Sequence, residues 1–185
     1  HGEGPGYCFL HPDMQSYIRS CLEKILNELA EHPSFKGIGL NLLYRDSLWW
    51  GGINSGYNGY VIAAFERATG IAVPKDCDRP AWIKAHCLDR WIDWRCDALA
   101  EFYKTLDGDL KKCRKDLRLR IMAKPDIRGI AKEVPGWDRP NVISCLMREA
   151  GIDMRKLREA IPDVQFGNIE RYGWWRDEIR HSNGS

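Results

Sequence analysis

The sequence lacks the features that mark membrane, nucleic-acid-binding or disordered proteins. Its apolar runs are only a handful of residues long, whereas a membrane-spanning helix needs about 20. The 28 Lys and Arg nearly balance the 26 Asp and Glu, and the net charge of +2 is too small to favour a polyanion as partner. The 17 Gly and 9 Pro are too few for a collagen-like or disordered chain. We therefore expect a soluble single domain over residues 1–185, with no nucleic acid and no membrane as partner.

The motifs that bind metals and phosphates are also missing. The chain has no Cys-x-x-Cys, P-loop, His-Glu-x-x-His or Gly-x-Ser-x-Gly motif, and His86, Cys87 and Cys96 do not make a complete ligand set. We therefore expect no metal and no cofactor. Seven cysteines cannot all pair within one chain, and we expect most of them to be buried thiols, because Cys21, Cys87 and Cys145 lie on the apolar stripes of predicted helices. A disulfide bond between two of the cysteines stays an open alternative.

Hydrophobic periodicity predicts helices alternating with short strands. A run of apolar residues over Gly37–Tyr44 is typical of a strand buried on both faces, and a six-turn helix is expected to open at Pro80 and to end or break at Gly108. The other predicted elements are helices over residues 12–29, 61–70, 142–149 and 154–160, and strands over residues 117–123 and 164–169.

This order predicts an α/β fold with parallel strands and helical crossovers. It suits an open doubly wound sheet or an arc of a (β/α)₈ barrel. A full barrel needs about 250 residues, so a chain of 185 residues is expected to be an incomplete segment of one. The start at His1 rather than Met agrees with that expectation.

In parallel α/β folds, ligands bind where the strands end. Carboxylates and aromatic rings follow the first and third predicted strands, a combination that suits a sugar: rings stack on its C–H faces, and two carboxyl groups hydrolyse the glycosidic bond. We predict Asp46 as the general acid and Glu170 as a weaker second carboxylate. The alternatives that Asp46 caps a helix and that Glu170 and Arg171 form a surface pair stay open. The predicted substrate-binding residues are Tyr44, Arg45, Trp49, Trp50, Asn168, Tyr172, Trp174 and Trp175.

Several segments resemble a known family. They are Tyr57–Tyr60, Phe65–Pro74, Trp91–Cys96 and Asp116–Leu119. In this order they resemble bacterial glycoside-hydrolase-like (β/α)₈ proteins, the β-galactosidase-like or family-10-like glycosidases. In that family a proline precedes the last segment, where this chain has Lys115.

The resemblance implies the third to sixth strands of a barrel and a carbohydrate substrate. The shared segments are outer helices, so Glu66, Trp91 and Arg95 are expected to be scaffold. Such glycosidases take their acid/base from the fourth strand and their nucleophile from the seventh, which would lie outside this chain. The chain is then either part of an enzyme, partnered by the rest of its barrel or a second chain, or a non-catalytic carbohydrate-binding or assembly module. The resemblance favours export, whereas seven unpatterned cysteines favour a reducing interior.

Overall fold

The computed structural model describes residues 8–42, 48–50, 52–123 and 140–167. These contain six helices and three strands. In chain order they are α1 (Pro12–Leu29), β1 (Gly37–Leu42), α2 (Gly59–Thr69), α3 (Arg79–His86), α4 (Leu88–Cys113), β2 (Arg118–Ala123), α5 (Pro140–Glu149), α6 (Met154–Ala160) and β3 (Gln165–Gly167). None of the described helices is both long and apolar enough to cross a bilayer.

The three strands form one parallel sheet in the order β1-β2-β3. Leu40 of β1 pairs with Ile121 of β2, which in turn pairs with Phe166 of β3. Parallel neighbours require crossovers, and α2, α3 and α4 supply the first of them while α5 and α6 lie in the second. The predicted α/β class with parallel strands is therefore confirmed.

Within the part of the chain that the structure describes, the sheet has one buried face and one exposed face. Leu40 and Leu42 are buried, whereas Gly39 and Asn41, which alternate with them, are exposed. On β2, Ile121 is likewise buried and Arg120 exposed. The expectation that β1 is buried on both faces was wrong, because its buried leucines alternate with exposed glycine and asparagine. In the same sheet the long helix α4 packs against β2.

Local signals set the ends of α2 as expected. The Asn58 side chain accepts a hydrogen bond from the backbone N–H of Val61 at 3.0 Å, which caps the first turn. Gly70 ends the helix with φ of +74°, a left-handed conformation that glycine adopts without strain. Such caps depend on neighbouring residues alone, which is why the sequence predicts them.

The helix expected from Pro80 is two helices. It breaks at Cys87, whose φ of −150° and ψ of 33° separate α3 from α4. The second helix then continues through Gly108 to Cys113. A glycine inside a helix costs about 1 kcal/mol, and burying the neighbouring Leu106 and Leu110 outweighs that cost.

The prediction for the cysteines was largely wrong. All seven are described as free thiols, but only Cys96 is buried, while Cys77, Cys113 and Cys145 are exposed. Burial raises the pKa of Cys96 to about 11, so this thiol stays protonated. Cys145 lies on an amphipathic helix, but the helix turns that position to solvent.

Candidate functional site

The carboxyl ends of the three strands lie at one edge of the sheet. β1 ends at Leu42, β2 at Ala123 and β3 at Gly167, and all three run in the same direction. Asp46 follows the end of β1 by four residues, and Glu170 follows the end of β3 by three. The two segments chosen from the sequence therefore start from the same edge, with β2 between them.

Most of the predicted site residues lie outside the described residues. These are Tyr44, Arg45, Asp46, Asn168, Glu170, Tyr172, Trp174 and Trp175. Their predicted roles stay predictions.

The other two predicted site residues, Trp49 and Trp50, are buried in the core, 7% and 6% exposed. Trp50 packs edge-on against Phe9 at 4.7 Å between ring centroids and lies 5.8 Å from Trp94. A ring that serves a sugar subsite needs a face open to the ligand, and these indoles are enclosed by other side chains. Both indoles belong to the hydrophobic core.

The chain that follows β1, the β1–α2 loop, is described over residues 48–50 and 52–58 and is bonded to α4 and the end of α5. The Tyr103 hydroxyl donates to the carbonyl of Leu48 at 2.9 Å, and the backbone N–H of Trp50 donates to the carbonyl of Ala150 at 3.3 Å. The loop also closes on itself, since the Ser55 hydroxyl donates to the carbonyl of Trp50. These bonds satisfy backbone groups that no strand or helix ladder serves.

The central contact of the loop is with Arg95, which is fully buried on α4. Its Nη2 donates to the carbonyl of Gly52 at 2.6 Å, and its guanidinium stacks on the ring of Trp50 at 4.8 Å. In return, the indole Nε1 of Trp50 donates to the backbone carbonyl of Arg95 at 3.1 Å. The arginine thus contacts the loop at residues 50 and 52.

The charge of Arg95 is poorly compensated. Within the described residues, its Nε and Nη1 have no hydrogen-bond partner, and no carboxylate there forms an ion pair with it. Burial lowers the pKa of Arg95 to about 10, even though Tyr57, Cys96 and Glu149 partly oppose that shift. The guanidinium nevertheless stays charged at neutral pH.

Two other titratable groups share this environment. Glu149, at the end of α5, is half-buried, and burial raises its pKa although Arg95 opposes the rise. Burial also raises the pKa of Tyr57, which stacks on Trp91 with centroids 5.1 Å apart and donates to the carbonyl of Ile53 at 2.8 Å. The described surroundings of Arg95 are therefore aromatic, and they include one half-buried carboxyl group, Glu149, whose neutral form is favoured by burial.

Sequence reasoning treated Arg95 as scaffold and overlooked Glu149 as part of this environment. A signal for Arg95 was present, because it lies four residues after Trp91 and four before Leu99, on the apolar stripe of the helix. A lone arginine on such a stripe predicts a buried charge. Glu149 gave no comparable signal, since its position depends on how α5 packs against α4.

The described residues suggest no metal centre, since no three His, Cys, Asp or Glu side chains come together among them. They do contain an open groove of about 560 Å³ between α1 and the end of α4. There Arg19 makes two hydrogen bonds to Asp109, at 2.5 and 2.9 Å, and Lys112 adds a third at 3.1 Å. The groove lies near the start of β2, away from the carboxyl edge of the sheet.

Comparison of the chain with protein-family models, with curated proteins and with solved structures found no match. The fold and the residues of the site are therefore the basis for any proposal on function.

Proposed function

We propose that this chain is an arc of a (β/α)₈ barrel that hydrolyses O-glycosidic bonds of a poly- or oligosaccharide. The observation that carries the proposal is the parallel sheet, whose strands β1 and β3 end at one edge, each a few residues before a candidate carboxylate. The helix α4 packs against β2, and within the described residues the sheet face at Gly39, Asn41 and Arg120 is exposed, which suits an arc of a barrel.

The distances along the chain allow a catalytic pair. Extended chain spans about 3.5 Å per residue, so Asp46 lies within roughly 14 Å of Leu42 and Glu170 within roughly 10 Å of Gly167. β1 and β3 are two strand spacings apart, about 10 Å. Two carboxyl groups that start from these strands can therefore reach the 5 to 10 Å separation, roughly, that glycoside hydrolysis uses.

In this proposal Asp46 protonates the leaving oxygen and Glu170 acts on the anomeric carbon or on the attacking water. Tyr44, Arg45, Asn168, Tyr172, Trp174 and Trp175 would bind the sugar through hydroxyl contacts and ring stacking. The enclosed Trp49 and Trp50 would not contact the sugar and would instead anchor the loop in the core.

Release of reducing sugar from a panel of oligo- and polysaccharides tests the proposal. We expect Asp46→Asn to lower turnover by about 100-fold or more, because the general acid is lost, and to leave sugar affinity within a few-fold. Asp76→Asn, which changes an exposed carboxylate before α3, is the matched control. Unchanged turnover in Asp46→Asn would remove that residue from the mechanism.

A non-catalytic carbohydrate-binding or assembly module is the second candidate. It is favoured by the exposed sheet face at Gly39, Asn41 and Arg120, and by the outer edges of β1 and β3, which have no strand partner within the described residues. A parallel sheet is normally covered on both faces, so such a module would dock on the rest of a barrel or on a second chain. Sugar binding without any release of reducing ends would support this candidate over the first.

A further inference from the structure

The burial of Arg95 is unfavourable taken by itself. A guanidinium taken out of water loses strong hydration, and within the described residues Arg95 regains one hydrogen bond, to the carbonyl of Gly52, and cation–π contacts with Trp50 and Trp91. An apolar side chain of similar length would fill the same space without that loss. On these described contacts the buried charge costs stability, so we look for its benefit in what the arginine holds.

What Arg95 holds is the β1–α2 loop. Contacts from α4 reach this loop at alternate residues: Tyr103 bonds the carbonyl of Leu48, the backbone of Arg95 accepts from Trp50, and the guanidinium binds Gly52. Beyond Trp50, α4 holds the loop through the guanidinium at Gly52 and through the stack of Trp91 on Tyr57. The loop directly continues the segment that carries Asp46.

We propose that Arg95 is a positioning residue, which fixes the β1–α2 loop on α4 and thereby aligns the chain that leaves the carboxyl end of β1. The consequence for sugar turnover rests on the proposed function; the hold on the loop does not. Arg95 acts through the loop and is not itself a catalytic residue.

Arg95→Met and Arg95→Lys test the proposal, with Arg19→Met as the matched control. Methionine keeps an unbranched chain of comparable length but donates no hydrogen bond, whereas lysine can still donate to one carbonyl. Arg19 is also bonded to α4, through Asp109, but it lies in the groove away from this loop. The three readouts are the urea midpoint, amide hydrogen exchange over residues 48–58, and the kcat and KM for sugar release.

We expect Arg95→Met to keep or raise the urea midpoint, because the cost of burying the charge disappears. Amide exchange over residues 48–58 should rise by about tenfold or more, since the loop loses its hydrogen bond at Gly52 and the contact of the guanidinium with Trp50. Arg95→Lys should restore part of the protection, and Arg19→Met should leave it unchanged. In sugar release, Arg95→Met should lower kcat by about 10- to 100-fold with little change in KM, because misplacement of a reacting group affects the chemical step.

The outcomes separate this inference from the proposed function. Unchanged exchange in Arg95→Met would overturn the inference whether or not the chain hydrolyses sugars. A clear fall in the urea midpoint would also overturn it, because Arg95 would then be an ordinary structural residue. Faster exchange at a preserved midpoint, in a protein whose wild type releases no sugar, would support the hold on the loop and contradict the glycosidase.

Discussion

Charged groups near the two edges of the sheet differ in how well they are paired and hydrated. At the amino-terminal edge, Asp163 accepts from Lys111 at 2.5 Å and forms an ion pair with Arg118 at 3.1 Å, and Arg114 donates to the carbonyls of Ala30 and Phe35. These groups keep partial contact with water. By contrast, the guanidinium of Arg95, which holds the loop after the carboxyl end of β1, is enclosed by aromatic rings and within the described residues bonds to one carbonyl.

The difference lies in what each charge costs the stability of the fold. Paired charges that keep contact with water lose little hydration. Here they connect α1 to α4, and the residue after α4 to the segment between α1 and β1. Within the described residues the buried charge of Arg95 has a single acceptor, which costs stability, and we infer that the fold retains it for another purpose. That purpose is expected at the edge where parallel α/β proteins bind their ligands.

The largest expected effect comes from adding a side chain at Gly151, where Trp50 already occupies the space. Gly151 has a φ of +86°, and a Cβ placed there would lie 2.2 Å from Cδ1 of Trp50. Gly70 has a similar φ of +74° but nothing within 4 Å of its Cβ position. We expect Gly151→Ala to lower the free energy of unfolding by about 3 kcal/mol and Gly70→Ala by about 1 kcal/mol, as measured by urea denaturation. Equal losses would show that Trp50 is not packed tightly on this turn.

The second prediction concerns the amino-terminal edge. The hydrogen bond from Lys111 lowers the pKa of Asp163, despite an opposing effect of burial. A lowered folded pKa adds stability above the unfolded value of about 4, and that stability is lost as the pH falls through the folded value. Because the side chains are part-exposed, Asp163→Asn should cost only about 0.5 to 1 kcal/mol at pH 7.

Urea titrations of wild type and Asp163→Asn between pH 7 and pH 2 measure this effect. The difference between the two proteins should shrink below about pH 4 and should also shrink in high salt. Asp76→Asn serves again as the control for loss of an exposed carboxylate. A difference that persists at low pH would mean that hydrogen bonding, not charge, carries the contribution of Asp163.

The smallest effect has the opposite sign. Burial raises the pKa of Glu149, so the fold favours its neutral form, and this contribution to stability is present below the unfolded pKa and lost as the pH rises through the folded one. Glutamine resembles the neutral acid. We expect Glu149→Gln to raise the free energy of unfolding at pH 7 by about 0.5 kcal/mol after solvent screening, with no gain below about pH 4.

The same urea titrations measure the Glu149 variant. A loss of stability at pH 7 would mean that attraction between Glu149 and Arg95 exceeds the cost of burial. Charge pairs would then stabilise the fold at both edges, and the contrast between the edges would be wrong.

The elements whose signals are local could be predicted from the sequence. Helix α1 from Pro12 and the stop of α2 at Gly70 follow from periodicity and caps. The break at Cys87 could not be predicted, because apolar residues continue across it and only packing separates α3 from α4. Burial of β1 on one face likewise depends on which layers cover the sheet.

The candidate site was predictable only as a location. The end of β1 and the end of β3 were chosen because parallel strands place their carboxyl ends together, and the sheet order agrees. The roles of Trp49 and Trp50 were not predictable, since a tryptophan pair suits both a sugar subsite and a core. The enclosure of Arg95 required the loop, α4 and the turn after α5 to meet.

The amino-acid sequence by itself determined the class of this protein: alternating helices and short strands, joined by crossovers long enough for a parallel sheet. Those properties follow from residues close together in the chain. Only the tertiary structure decided that Trp50 faces the core, that Glu149 lies in the environment of Arg95, and that a guanidinium is buried against a loop carbonyl. The physical reason is that burial and charge pairing depend on distances between residues far apart in sequence, such as Gly52 and Arg95.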